Sequence, residues 1–217
     1  MKEYHKIQSI FKREMQGDRK LIEGAYSIPE FEYLKDCVWR WDEKIDGTNI
    51  RIQYISDPLV DEVIIKGRTD RAQIPKHLLA RLKELFPVEK MKSIFSREGE
   101  NSEVCLYGEG YGVKIQKGGG DYIPDRADFI LFDVKIGRWW LKREDVETIA
   151  KDLGIKVVPI IGYGTLEEAV NLIKGHLINS KIAVNERLIE GLVCRPELEL
   201  KARNGARIIT KIKYKDF

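Results

Sequence analysis

Residues Glu43-Lys44-Ile45-Asp46-Gly47-Thr48-Asn49 bring a primary amine, two carboxylates and a carboxamide into one short stretch. Lys44 is the candidate nucleophile, because a lysine amine that has lost its proton can attack an electrophile and hold the fragment covalently. Two acids stand where apolar residues are expected. Asp133 interrupts the run Phe129-Ile130-Leu131-Phe132-Asp133-Val134, and Glu190 interrupts Leu188-Ile189-Glu190-Gly191-Leu192-Val193. A carboxylate in a buried strand must be paired, hydrogen-bonded or bound to a metal. Arg68 ends a polar strand, Glu109 stands between Gly108 and Gly110, and Lys211 and Lys213 share a strand face at a period of two. Several strands, each presenting one polar residue, suggest a shared pocket.

The elements that must position these groups are legible from periodicity. Cys37-Val38-Trp39-Arg40-Trp41 precedes Lys44, and Thr48-Asn49-Ile50-Arg51-Ile52-Gln53-Tyr54-Ile55 follows it. With Asp46-Gly47 as a turn signal, these read as two strands of a hairpin with the lysine at the bend. Further strands are expected at 60–66, 104–107, 129–136, 155–161, 188–195 and 206–214. Pro75 precedes a helix over 76–86 whose leucines form one apolar face, and a second short helix follows Pro87. A helix over 142–153 ends at Gly154, and Thr165-Leu166-Glu167-Glu168 is a capping box opening a helix to Lys174. Residues 1–35 read as irregular. The triple glycine Gly118-Gly119-Gly120 lacks the Gly-Lys-Ser/Thr ending and following helix of a phosphate loop, and reads as a flexible loop.

The chain has 217 residues, enough for one large domain, and no composition shift marks a second. No apolar run is long enough to cross a bilayer and no secretory signal is visible, so no membrane partner and a cytoplasmic location are expected. Cys37, Cys105 and Cys194 are odd in number, widely spaced and expected within strands, which excludes a disulfide framework. With only three histidines, no zinc-type spacing can be assembled, and any metal would be held by carboxylates and phosphates. The net charge is only +3, but from Lys201 onward basic residues face a single acid, Asp216. That tail could face phosphates or solvent.

Lys44, Arg68, Glu109, Phe132-Asp133, Glu190-Gly191 and Lys211-Ile212-Lys213 occur in a definite order. The order resembles that of the covalent nucleotidyltransferases, the superfamily of ATP-dependent RNA and DNA ligases and mRNA-capping guanylyltransferases. The form Lys-Ile-Asp-Gly-Thr-Asn, the Phe-Asp pair and the closing Lys-Ile-Lys-Tyr-Lys resemble most the phage T4 RNA ligase 2 type. The resemblance implies an α+β nucleotidyltransferase domain over 1–217, of mainly antiparallel sheets flanked by helices. Enzymes of that type carry a further C-terminal domain, whereas no C-terminal oligonucleotide-binding domain is expected in this stretch, a surface that a partner could supply.

The same resemblance implies roles. Lys44 would attack the α-phosphorus of ATP, and AMP would remain as a covalent adduct. Free lysine titrates near ~10.4, so Lys211, Lys213 or a metal ion would have to lower that value, and the two lysines would also neutralise the phosphate. Arg68 would contact phosphate, Asn49 would lie near the reacting phosphate, and Glu43 would support the nucleotide site. Glu109 would bind the ribose hydroxyls and Phe132 would stack on adenine. Glu190 and Asp133 would place Mg²⁺ or Mn²⁺. The partner would be RNA, through its 5′-phosphate and 3′-hydroxyl ends, with the basic tail and the loop around Lys117 along its backbone. Two other functions fit the same motifs: a non-ligating nucleotide- and RNA-end-binding module, and a GTP-dependent capping-type transferase.

Overall fold

The computed structural model describes residues 3–17, 20–57, 60–96, 102–175 and 177–217. The chain forms two compact units. The first is Asp46–Val158 with Met1–Tyr4 and Ala183–Asn185, and the second is His5–Ile45, Pro159–Ile182 and Glu186–Phe217.

The first unit is built on a sheet ordered β10 (Lys156–Val157), β8 (Ala127–Ile136), β7 (Ser102–Gly112), β5 (Thr48–Ser56) and β6 (Asp61–Gly67), with β9 (Trp139–Trp140) also paired to β8. All pairings are antiparallel except β8 with β10. Alternation along β5 sends Ile50, Ile52 and Tyr54 into the core, where they meet α2 (Lys76–Leu85), α3 (Val88–Phe95) and α4 (Arg143–Leu153). Leu78, Leu82 and Leu85 of α2 are buried there, each full burial contributing about 1.5–3 kcal/mol. Gly108 and Gly110 face this core. A Cβ at Gly108 would lie 2.2 Å from the Phe129 ring and 2.4 Å from Ile130 O, so that position admits no side chain, and one at Gly110 would lie 2.5 Å from Leu78, which would have to shift. The alternate residue, Glu109, consequently points to the other face of the sheet.

The second unit carries a sheet ordered β1 (Gln8–Ser9), β13 (Thr210–Lys213), β12 (Gly191–Pro196), β4 (Trp39–Glu43) and β11 (Ile160–Gly164). Only β1 with β13 is parallel. Beside it lie the hairpin β2 (Phe11–Arg13) and β3 (Leu21–Tyr26), and the helices α1 (Pro29–Tyr33) and α5 (Leu166–Gly175). Phe31, Trp39, Leu166, Ala169, Ile173, Leu192 and Ile212 pack in its core. The capping box of α5 is reciprocal: Thr165 N–H donates to Glu168 Oε2 at 2.7 Å, and Glu168 N–H donates to Thr165 Oγ1 at 3.1 Å.

The α+β class of mainly antiparallel sheets with helices against them is what the sequence implied, and five local expectations change. Strands β4 and β5 do not form a hairpin. Each is already paired on both sides, β4 by β11 and β12, β5 by β6 and β7, so the turn residues Asp46-Gly47 join two sheets instead. Gly47 is needed for close approach, since its Cβ would lie 2.3 Å from the Gly110 carbonyl oxygen. The expected strand over 155–161 is two strands in different sheets, broken at Pro159, which has no N–H to donate to a ladder. Among the described residues, 8–33 hold three strands and a helix; β1, β2 and α1 are too short to leave a periodic signal, and Gly24 interrupts β3. Cys37 lies in a bend before β4 and is exposed, while Cys105 and Cys194 are buried in strands. The triple glycine is a hydrogen-bonded turn: Gly119 N–H donates to Gln116 O at 2.9 Å, and a Cβ at Gly119 would lie 2.1 Å from Gly112 O.

Candidate functional site

In the second unit, strand pairing brings three charged side chains together. Gly191 opens β12 opposite Lys213 of β13, and Leu192 stands opposite Glu43 at the end of β4. Continued by one residue, the register sets Gly191 between Lys44 and Lys213, and Glu190 directly precedes it. Glu190 uses both carboxylate oxygens. Lys44 Nζ donates to Oε2 at 2.5 Å, and Lys213 Nζ donates to Oε1 at 2.5 Å. The backbone holds this arrangement, with Lys44 N–H donating to Gly191 O at 3.0 Å and Tyr214 N–H donating to Glu190 O at 3.2 Å. Gly191 admits no side chain, since its Cβ would lie 2.0 Å from Ile212 O.

Burial alone would raise the Glu190 carboxyl, but the Lys44 charge and the hydrogen bonds from Lys213 and Lys44 outweigh it. The net direction is downward from the usual carboxylate range. Glu190 is thus a poor proton acceptor and a persistent anion, suited to anchoring two ammonium groups. Lys211 lies on the same strand face as Lys213, opposite Ser9 of β1 and Val193 of β12.

Glu43, almost wholly buried, turns to a different task. Its carboxylate accepts from Ser180 Oγ at 2.5 Å and from Lys181 N–H at 3.0 Å, tying the segment before Ile182 to the end of β4. Burial pushes its carboxyl above the ordinary value, and the bonds from Ser180 and Lys181 only partly oppose that. Neighbouring Asp42 is also buried, bound by Arg40 at 2.9 Å and Arg195 at 3.4 Å.

In the first unit, the sheet face opposite the core collects another set. Asn49 of β5 pairs in register with Glu109 of β7, and Arg51 with Tyr107, so these four share a face. Asp133 of β8 stands opposite Tyr107. Between them the register slips: Gly108 pairs with Leu131 and Tyr107 with Asp133, leaving Phe132 as the extra residue of a bulge. A bulge re-aims the side chain it carries. Leu131 and Val134 both remain in the core, and Asp133 points to the opposite face. Tyr4 closes over this corner, its hydroxyl donating to Asp133 Oδ2 at 2.6 Å and its ring edge-on to Phe132 at 5.1 Å. Asn49 Oδ1 is buried without a hydrogen-bond partner among the described residues, an acceptor left for an incoming donor. Arg68 is exposed just after β6. The loop it begins is held by buried Arg51, whose Nε donates to Gly67 O at 2.8 Å and whose NH2 group donates to Asp70 at 3.0 Å.

The structure brings Lys44, Glu190 and Lys213 into contact, sets Lys211 on the same strand face as Lys213, and sets Asn49, Glu109 and Asp133 on one face of the first unit's sheet. Sequence reasoning missed Tyr4, Arg51, Ser180 and Lys181. Nothing in the local pattern around Tyr4 or Ser180 marks them, whereas Arg51 was detectable as a charge within an apolar strand. Among the described residues no group of three His, Cys, Asp or Glu side chains is set to hold a metal. The donor set fits an ion that brings most of its ligands as phosphate and water, as magnesium does, rather than an ion caged by protein. In the basic tail, Lys201 and Arg203 are exposed, but Arg207 is buried and paired with Glu199. No helix among the described residues is long and apolar enough to cross a membrane.

The RNA ligase family model matches residues 38–214. The fold is similar to that of Naegleria gruberi RNA ligase. Its complex with PPi gives a TM-score of 0.60 at 20% identity, covering 87% of this chain and 52% of that one. A variant with ATP and Mn gives 0.61 at 20% identity over 95% and 59%, and one with AMP and Mn gives 0.58 at 19% over 87% and 53%. This chain therefore spans between half and three-fifths of the length of those ligase chains. No curated protein matches the sequence.

Proposed function

The chain belongs to the RNA ligase family, and we propose that it joins RNA ends at the expense of ATP, with Lys44 as the covalent nucleophile. The observation that carries this reading is the Lys44–Glu190–Lys213 contact, which holds the amine at a fixed point among cations. A solvated lysine in an exposed turn has no such partners.

In the first step Lys44, its proton lost to solvent, attacks the α-phosphorus of ATP. The P–N bond forms as the bond to the bridging oxygen breaks, and pyrophosphate leaves with that electron pair. Lys211 and Lys213 neutralise charge on the α-phosphate as it reacts. Glu190, persistently anionic, fixes the two amines rather than taking the proton. Glu109 binds the ribose hydroxyls, Phe132 stacks on adenine, and Arg68 and Asn49 contact phosphate. Glu43 supports the site indirectly, by holding Ser180 and Lys181 against the strand that ends at the nucleophile.

An oxygen of the RNA 5′-phosphate then attacks the same phosphorus, the P–N bond breaks, and the amine is regenerated. Finally a 3′-hydroxyl attacks the 5′-phosphorus, loses its proton and expels AMP, closing the phosphodiester. These steps are displacements at phosphorus, so positioning and charge neutralisation supply most of the catalysis. Glu190 and Asp133 are the carboxylates that would hold Mg²⁺ or Mn²⁺. The ion supplies further neutralisation of phosphate charge.

The test is incubation with ATP labelled at the α-phosphate and Mg²⁺, then denaturation, for the parent and Lys44→Ala. Label on the parent and none on the variant is expected, with GTP ineffective. A parent that binds ATP, carries no prior adduct by mass and still takes no label would overturn the reading.

A further inference from the structure

We propose that the N-terminal segment and the last strand of the second unit together form a track for the phosphate backbone of an RNA strand. This rests on reading Lys44 as the nucleophile, beside which the track passes.

Strand β1 adds to the edge of β13 in parallel, with Ser9 opposite Lys211 and Ile10 N–H donating to Lys211 O at 3.2 Å. The pairing lays the N-terminal cations Lys6, Lys12 and Arg13 beside Lys211, Lys213 and Lys215, around a cleft of about 410 Å³. None of the residues lining that cleft is acidic. Arg13 is steadied by Asp216 at 2.8 Å, while Lys6 and Lys12 are exposed. Such a concentration of one charge, in a chain whose net charge is only +3, is kept for a polyanion.

Two features favour a polynucleotide over the triphosphate of ATP. The cations are spread rather than clustered: Lys211 and Lys213 alternate along β13, about 7 Å apart, Lys12 and Arg13 lie on β2, Lys6 precedes β1 and Lys215 follows β13. That suits a succession of phosphates better than one compact group. Lys213 lines the cleft and its amine shares Glu190 with Lys44, so a strand lying there passes beside the proposed reacting centre. Its single aromatic lining residue, Phe11, is buried in the core, leaving no platform on which bases could stack. The track therefore reads backbone and not sequence.

The test uses the full chain and the double variant Lys6→Ala/Lys12→Ala, neither residue belonging to the proposed catalytic set. Binding of a 5′-phosphorylated single-stranded RNA of about 12 nucleotides is followed by fluorescence anisotropy as salt rises from about 50 to 200 mM. Loss of two phosphate contacts makes the slope of log K against log salt shallower by about 1.4 and weakens binding by roughly tenfold at the low-salt end. Lys6→Arg/Lys12→Arg restores both, and self-labelling with ATP in the absence of RNA stays at the parental level. Unchanged RNA affinity and slope would overturn the track. So would lost self-labelling with RNA binding intact, which would assign these cations to the ATP phosphates. A parent that takes no label refutes the nucleophile assignment, yet its anisotropy still reads the track.

Discussion

Replacing Glu190 with Gln removes the one carboxylate that both Lys44 and Lys213 contact. The two ammonium groups reach it at 2.5 Å, and the three side chains are only 22%, 19% and 16% exposed, so water replaces little of what is lost. Hydrogen bonds to charged groups contribute about 1.5–3 kcal/mol each, and the amide keeps one acceptor oxygen, so the expected loss is about 2–4 kcal/mol near pH 7. The pH dependence identifies the cause. Glutamate in the unfolded chain titrates near ~4.3, and the folded Glu190 carboxyl titrates lower. Its contribution is fully present above the unfolded value and is lost as pH falls through the folded one. Urea unfolding of parent and Glu190→Gln should therefore show a gap that is constant from about pH 7 to 5 and closes below about pH 4. A gap that persists unchanged at about pH 3, or none at pH 7, would refute an ionised Glu190 bridging two lysines.

Glu43→Gln should behave in the opposite sense. Burial holds the folded carboxyl above its unfolded value, so ionising it opposes folding as pH rises through that interval. The neutral isostere keeps an oxygen for Lys181 N–H, and a melting temperature equal to or above the parent's is expected at about pH 7.5, with any advantage gone at about pH 4. A large loss of stability at high pH would show that the charge itself holds Ser180 and Lys181. Phe132→Ala should weaken ATP binding by roughly three- to tenfold, the worth of about 0.5–1.5 kcal/mol of stacking, with kcat changed less than KM. An unchanged KM would confine Phe132 to packing against Tyr4.

The strands and helices that carry the site were legible because their periodicity agrees with their burial. Leu78, Leu82 and Leu85 mark one face of α2, and Ile50, Ile52 and Tyr54 mark one face of β5. What local pattern could not show is which sheet a strand joins. Asp46-Gly47 is chemically a good hairpin turn, but partner choice is a tertiary decision, and β4 and β5 each satisfy both edges elsewhere. The bulge at Phe132 is equally silent, because Phe129 to Phe132 is apolar throughout whether or not the register slips. The N-terminal strands were unreadable for a different reason. Two-residue β1 is stabilised by the edge of β13 that it adds to, and three-residue β2 by its pairing with β3, and not by their own sequence.

The acid at position 190 shows how a correct local inference can leave its cause undecided. A carboxylate interrupting an apolar run must be paired or bind a metal, and the pairing with Lys44 and Lys213 satisfies the first alternative. That pairing does not exclude the second. On the proposed function both lysines would turn toward an incoming α-phosphate, leaving Glu190 as a partly buried, ionised carboxylate. Such a group needs a new cation. A bound Mg²⁺ would meet that need. The stabilising role of Glu190 in the free protein and the role proposed for it toward metal in the loaded one would then be successive states of the same charge balance. They separate experimentally, because Glu190→Gln should lose stability without any metal present and should also lose the dependence of nucleotide affinity on Mg²⁺.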